Sequence, residues 1–84
     1  MEEITTAEAI YALWTRADSV DDARLLLSVI YSFYSDLEKV PQEKARKNNA
    51  RVKKTEIYTF WDGSKIEVSW LVSGEHYIFR LIGD

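Results

Sequence analysis

Residue types that usually do catalytic chemistry are scarce in this chain. It holds one histidine, His76, which follows Glu75, and it holds no cysteine. A general base has to be positioned beside a nucleophile, a metal ion or a second catalytic group, and no such set accompanies His76. We therefore expect His76 to be a solvated strand residue. A hydrolase or nuclease built on it is the third of three functional hypotheses.

The residue spacing gives equally little support for a metal-binding or phosphate-binding site. Asp18, Asp21 and Asp22 bring three carboxylates together, but a Mg²⁺ or Ca²⁺ site needs more oxygen ligands held in a defined loop. The start of a helix explains these acids, because negative charge is favourable there. The three glycines are too far apart to form a phosphate-binding loop. The sequence thus predicts a protein that is not an enzyme, with no metal and no cofactor.

Length and composition indicate one small domain. The chain has 84 residues, 46% of them hydrophobic, and a formal net charge of -3. These values are typical of a folded domain and exclude collagen-like or low-complexity sequence. The start Met1-Glu2-Glu3 lacks the features of a secretory signal, and no apolar run approaches the roughly 20 residues that span a membrane. We predict a single domain over residues 1–84, a cytoplasmic location and no membrane partner.

The small net charge hides three segments of alternating sign. Residues 1–43 hold nine acids and three bases, residues 44–54 hold six bases and no acid, and residues 55–84 hold five acids and two bases. A dense basic segment can bind phosphates, can dock on an acidic protein surface, or can act as a solvated linker that offsets nearby acids. The predicted basic patch consists of Lys44, Arg46, Lys47, Arg51, Lys53 and Lys54.

Two helices are expected in the N-terminal half. The segment Thr5–Glu8 has the spacing of a capping box, and apolar residues then recur every three or four positions, which predicts a helix over about residues 6–17. A second helix is expected over about 20–40, because its apolar residues form one continuous arc of roughly 160°. Pro41 then favours a short third helix over about 41–48, with an ordered loop as the alternative.

The C-terminal part of the chain alternates apolar and polar residues as strands do. Three strands are expected, near residues 57–61, 66–72 and 77–81, joined by turns at Asp62-Gly63 and Ser73-Gly74. Helices followed by strands predict an α+β fold, in which a three-stranded antiparallel meander packs on the second helix. The expected divisions are a helical half over 1–40, a basic connector over 41–55 and the β-meander over 56–82.

The two turns differ in how well they fix the strand register. A two-residue turn at Ser73-Gly74 sets apolar residues opposite one another and places Glu67 opposite Arg80. The turn at Asp62-Gly63 leaves two alternatives open. A two-residue loop buries one set of side chains, Ile57, Thr59 and Trp61, whereas a bulged three-residue loop buries the other, Tyr58 and Phe60.

Aromatic residues supply the strongest indication of a binding surface. They make up 13% of the chain, and some of them are hard to bury in a two-layer fold. Those expected in the core are Trp14, Phe33, Trp70, Tyr77 and Phe79. Exposed Trp and Tyr are enriched at the energetic centres of protein interfaces. The predicted interface residues are Trp61, Tyr58, Phe60 and Tyr31, unless the first helix or the C-terminal tail covers them.

From these features we expect a small, non-enzymatic protein-binding module of the inhibitor or adaptor type, a profile that small proteins of mobile elements often share. Its partner is expected to be another protein, with a nucleic-acid-binding protein as one version. A homodimer through a sheet edge is a further expectation. The alternative is a nucleic-acid-binding module that uses residues 44–54. In that case residues 41–50 would form a recognition helix and Asp62-Gly63 a wing.

Overall fold

Helices and strands follow one another much as the sequence predicts, with one strand more than expected. The computed structural model describes residues 3–72 and 77–83. Its helices are α1 (Thr6–Thr15), α2 (Val20–Phe33) and α3 (Gln42–Asn48). Its strands are β1 (Tyr34–Val40), β2 (Val52–Phe60), β3 (Lys65–Leu71) and β4 (Tyr77–Leu81). They form one antiparallel sheet in the order β1-β2-β3-β4, so the predicted α+β class is confirmed.

Helix α1 begins at the predicted capping box. Thr5 Oγ1 accepts a hydrogen bond from Glu8 N at 3.2 Å, and Glu8 Oε1 accepts one from Thr5 N at 3.4 Å. Ile10 is buried in the core. Trp14 stacks on Phe79 of β4, with ring centroids 5.5 Å apart. These contacts hold α1 over β3 and β4.

The prediction for the second helix is wrong beyond Phe33. The backbone becomes extended at Tyr34, and residues 34–40 form the first strand of the sheet. The residues just before Tyr34, where the helix gives way to extended backbone, are rich in β-branched and aromatic types. Such residues lose side-chain freedom in a helix and favour strands. Leu37 and Val40 continue the helical arc in the sequence. In the sheet, however, Leu37 packs against the core and Val40 lies on the opposite face.

Pairing between β3 and β4 follows the predicted register. Val68 lies opposite Phe79, and Glu67 lies opposite Arg80. The expected charge pair forms, with Arg80 Nη2 2.9 Å from Glu67 Oε2. The predicted turn at Ser73-Gly74 lies outside the described residues.

The hairpin between β2 and β3 has the bulged three-residue loop. Phe60 N donates to Ser64 O at 2.8 Å, and Gly63 N donates to Phe60 O at 2.9 Å, so the loop begins at Trp61. Gly63 has a φ of +85°, the left-handed conformation that such a loop requires. The three-residue loop places Tyr58 and Phe60 on the side of the sheet that faces α1 and α2, here called the helix face.

The core lies between the helix face and the two long helices. Its buried residues are Ala7, Ile10, Leu26, Leu27, Ile30, Tyr58, Phe60, Ile66, Val68 and Phe79. The short helix α3 lies on the opposite side of the sheet, here called the outer face, and its Ala45 is buried. None of the helices within residues 3–72 and 77–83 is long and apolar enough to cross a bilayer.

Candidate protein-binding surface

Helix α2 carries a row of exposed apolar side chains. Leu25, Val29 and Phe33 follow one another at intervals of four residues, so they lie along one line of the helix surface. Their exposed fractions are 65%, 37% and 56%. We call these three residues the apolar row. Phe33, which the sequence places in the core, therefore faces solvent.

The apolar row is distinct from the side of α2 that packs on the sheet. That buried side consists of Ala23, Leu26, Leu27 and Ile30. At 3.6 residues per turn the centres of the two sides are about 110° apart. One small helix layer and one sheet cannot cover an apolar surface that wide, so part of it stays exposed.

The apolar surface continues from α2 onto α1. Leu13 is exposed and lines a shallow hollow between the two helices together with Leu25. Arg16 and Asp22 line the same hollow and give it a charged rim. An apolar centre with a polar rim is the usual anatomy of a protein interface.

Trp61 adds an aromatic ring near the end of the apolar row. Tyr34 and Phe60 are paired across β1 and β2, and Phe33 and Trp61 are their chain neighbours. Phe33 and Trp61 therefore lie at the same end of the molecule. Trp61 is 82% exposed, the largest exposed fraction among the large hydrophobic residues that the structure describes. Neither α1 nor the described part of the C-terminal tail covers it.

The other predicted interface residues lie elsewhere. Tyr58 and Phe60 are each 2% exposed and belong to the core, so they are not available to a partner. The reason is the three-residue hairpin loop, which turns both side chains inward. Tyr31 is half-exposed, but it projects from the side of α2 opposite Val29, where its ring centroid is 5.9 Å from that of Tyr58.

Buried polar contacts hold Tyr58 in place. Its hydroxyl donates to Glu56 Oε1 at 3.0 Å, and that oxygen is 3.8 Å from Lys54 Nζ. Lys54 Nζ also lies 4.4 Å from the ring centroid of Trp70. Burial and the hydrogen bond to Glu56 raise the pKa of the Tyr58 hydroxyl well above its usual range. Lys54 is thus engaged on the helix face and is separated from the rest of the predicted basic patch.

The remaining residues of the basic patch are exposed at the end of the sheet that carries α3. They are Lys44, Arg46 and Lys47 on α3, Arg51 in the following turn, and Lys53 on β2. None of these five forms an ion pair in the described part of the chain. Three acids lie near the same end on the helix side: Asp18, Asp21 and Asp22. Asp18 lines a hollow together with Tyr77, the first residue of β4, which marks this end of the sheet.

The two elements of the expected winged-helix arrangement lie far apart in the structure. The recognition element expected over residues 41–50 and the wing expected at Asp62-Gly63 lie at opposite ends of β2. Nine residues of strand span about 27 Å, so about that distance along the sheet separates the two elements.

The outer face of the sheet carries a groove with a partly polar floor. The groove has a volume of about 370 Å³ and runs between this face and α3. Thr55 Oγ1 and Ser69 Oγ are hydrogen-bonded at 3.0 Å in the groove floor, and the Glu67–Arg80 pair lies at its edge. The polar groups of this groove are thus largely satisfied by one another.

Candidate catalytic groups do not gather anywhere in the described residues. No three His, Asp or Glu side chains among residues 3–72 and 77–83 lie together as metal ligands. His76 falls outside those ranges. Comparison with known protein families, with curated proteins and with solved structures found no match.

Leu13 and Leu25 are not among the interface residues predicted from the sequence. Leu25 lies beyond the edge of the predicted apolar arc of the second helix, but its four-residue spacing from Val29 is visible in the sequence. That spacing could have identified the apolar row. The position of Trp61 at the same end of the molecule as Phe33 depends on the β1–β2 pairing, which the sequence does not predict.

Proposed function

We propose that the protein is a small, non-enzymatic protein-binding module of the inhibitor or adaptor type. The observation that carries this proposal is the exposed apolar surface formed by the apolar row and Leu13, with the exposed Trp61 at the same end of the molecule as Phe33. Solvent-exposed apolar patches on small domains mark interaction sites, and tryptophan is the residue most enriched at the energetic centres of interfaces.

The polar residues beside the apolar row can be buried by a partner at little energetic cost. Ser28 and Ser32 flank the row, and Ser32 Oγ donates a hydrogen bond to Ser28 O at 3.0 Å. Covering this hydroxyl leaves its hydrogen bond intact, so the usual penalty for burying a polar group is small. Both serines are also short, which allows a partner to approach the helix closely. The surface therefore fits a partner with an apolar patch of its own, and a nucleic-acid-binding protein is one version of that partner.

Pull-down with surface variants tests this proposal. The immobilised chain is exposed to lysate of the native cell, and the captured proteins are identified by mass spectrometry. We expect Trp61→Ala and Phe33→Ala each to weaken capture of the partner about tenfold or more, as hot-spot residues do. Both side chains are exposed, so circular dichroism should show an unchanged fold.

Val72→Ala provides the matched control. Val72 is also an exposed apolar residue, but it follows β3 at the end of the sheet opposite Trp61. Capture should be unchanged in this variant. Equal capture by the wild type, Trp61→Ala and Phe33→Ala would contradict the proposed surface.

A second candidate function is nucleic-acid binding through the basic end of the molecule. The observation that favours it is the group of five exposed cations on α3, the following turn and β2, none of them in an ion pair within the described residues. Such cations release counterions when they contact phosphates, so affinity should fall steeply with salt. The three nearby acids oppose the approach of a long polyanion.

A gel-shift titration against salt concentration separates this function from the first. The five cations predict binding at low salt that weakens about a hundredfold or more between 50 and 200 mM salt. Lys44→Gln should reduce the salt dependence by about one phosphate contact. Lys54→Gln is the control, because Lys54 is already paired with Glu56. The absence of binding at low salt, or a response that does not change with salt, would rule out nucleic-acid binding.

A further inference from the structure

The two edges of the sheet differ in how well they are protected against pairing. On β1 the register shifts between Tyr34 and Asp36, which is the irregularity of a β-bulge. Three of the seven residues of β1 are charged, and Pro41 follows the strand. Bulges, charges and proline are the devices by which edge strands avoid adding a further strand. The β1 edge is therefore protected.

The β4 edge has fewer of these devices. Its sequence, Tyr-Ile-Phe-Arg-Leu, contains no proline and one charge, and its register with β3 is regular throughout. The single charge belongs to Arg80, whose guanidinium is already paired with Glu67 on β3. Ile78 and Leu81 are partly exposed apolar residues on the two faces of this strand.

Backbone groups on β4 point away from the sheet at alternate residues. Ile82 N donates to Lys65 O on β3 at 3.4 Å. This bond determines which residues along the strand bond toward β3 and which point away from it. Ile78 and Arg80 then bond toward β3, while the N–H and C=O groups of the alternate residues point outward. These outward residues are Tyr77, Phe79 and Leu81. In the described part of the chain no group accepts a hydrogen bond from their N–H groups.

Aromatic packing covers the helix face of this strand. Phe79 is buried, and Trp14 of α1 stacks on it with an angle of 8° between the rings. Tyr11 packs in turn against Trp14, with ring centroids 5.7 Å apart. A strand that is already packed in this way loses little conformational freedom when another strand pairs with it, which favours association.

We propose that β4 pairs antiparallel with β4 of a second copy, about a two-fold axis at Phe79. The outward groups are then matched, because each Phe79 faces its equivalent and each Tyr77 faces Leu81 of the second copy. Each of these three residue pairs exchanges two N–H···O bonds. The axis is perpendicular to the sheet, so the two four-stranded sheets join into one and the helix layers stay on the same side.

The side chains of β4 also fit a second copy. In this register Arg80 lies opposite Ile78 of the second copy, so no two like charges lie directly opposite. The methylene stem of Arg80 can cover Ile78 while its guanidinium keeps its pairing with Glu67. On the helix face, the exposed part of Leu81 is covered by Tyr77 of the second copy. This proposal uses a different surface from the proposed protein-binding function and does not depend on it.

Sedimentation equilibrium and amide hydrogen exchange test the dimer on the full chain. The apparent mass should rise from 9.8 kDa toward twice that value as concentration increases. In the same range, the amide hydrogens of Phe79 and Leu81 should become protected from exchange, since only a second strand can accept hydrogen bonds from them. The outward amides of Leu37 and Lys39 on β1 should remain unchanged. A monomer at all concentrations up to about 1 mM, the Kd range of the weakest specific contacts, would overturn the proposal.

Two lysine variants distinguish the β4 edge from the apolar row. Ile78→Lys places a charge opposite Arg80 of the second copy and should raise the dimer Kd about tenfold or more. Leu25→Lys makes the same chemical change on α2 and should leave the dimer unchanged while weakening capture of a protein partner. If Ile78→Lys does not fold, Leu81→Pro replaces it, because proline removes an outward N–H that β3 does not use. A dimer Kd that is unchanged in the folded Ile78→Lys or Leu81→Pro variant, or one that Leu25→Lys raises, would overturn the β4 assignment.

Discussion

Asp62 connects two parts of the molecule that are far apart in sequence. Its Oδ2 accepts hydrogen bonds from Thr6 N at 2.8 Å and Thr6 Oγ1 at 2.9 Å, and its Oδ1 accepts from Ser64 N and Ser64 Oγ. Ser64 Oγ also accepts from Ala7 N at 3.1 Å. The hairpin between β2 and β3 thus satisfies the first N–H groups of α1, which otherwise have no partner within the helix.

These contacts lower the pKa of the Asp62 carboxyl well below its usual range, first through the bond from Ser64 and then through the bonds from Thr6. The folded protein therefore favours the charged form more than the unfolded chain does. This stabilisation is fully present above the unfolded pKa of about 4 and is lost as the pH falls toward the folded pKa. We expect acid unfolding to begin with the contact between the hairpin and α1.

Substitution of Asp62 should therefore lower the stability of the folded protein and make that stability less sensitive to acid pH. Asp62→Asn keeps the size of the side chain but removes its charge and part of its capacity to accept hydrogen bonds. We expect the melting temperature at pH 7 to fall by roughly 4–8 °C, the range for a lost helix cap in a domain of this size. The difference from the wild type should shrink below pH 4. Asp36→Asn on β1 is the control, and an equal effect in the two variants would contradict the role of Asp62.

At the scale of whole elements, local sequence patterns predict those parts of the fold that depend on near neighbours. The capping box at Thr5 and the register of the second hairpin both follow from residues close in sequence, and the structure confirms both. The end of α2 depends on a distant partner instead. Residues 34–40 can extend a helical arc, but pairing with β2 stabilises them as a strand.

The hairpin at Asp62-Gly63 shows why a turn signal alone does not fix which side of a strand is buried. Both loop lengths use the same two residues, and each places a different set of side chains in the core. The choice follows from the bond between Asp62 and α1 and from the packing of Tyr58 and Phe60 under α2. The candidate interface was predictable at Trp61 and not at Tyr58 or Phe60 for this reason.

Across the whole molecule, the three exposed features occupy separate regions. The apolar row lies on the helix layer, the five exposed cations lie at the α3 end, and the β4 edge lies along one side of the sheet. A second copy on β4 would leave the apolar row accessible, so one dimer could present two partner-binding surfaces. Two linked surfaces bind a multivalent partner more tightly than either does alone.

At this scale we expect Tyr58 to make the stability of the whole domain sensitive to alkaline pH. It lies where α2, β1 and β2 meet, with the rings of Tyr31 and Tyr34 within 6 Å between centroids. Burial and the bond to Glu56 keep its folded pKa far above the unfolded value of about 10. The stability contributed by the neutral hydroxyl is thus complete below pH 10 and is lost as the pH rises above it.

Unfolding by urea at pH 8 to 11.5 measures this effect. Above pH 10 the free energy of unfolding of the wild type should fall by up to about 1.4 kcal/mol per pH unit more than that of Tyr58→Phe, which has no hydroxyl to ionise. Tyr34→Phe is the matched control, because Tyr34 contacts the same cluster but is exposed. It should keep the alkaline slope of the wild type. If Tyr58→Phe keeps that slope as well, the alkaline loss of stability arises from other groups and not from the buried Tyr58 hydroxyl.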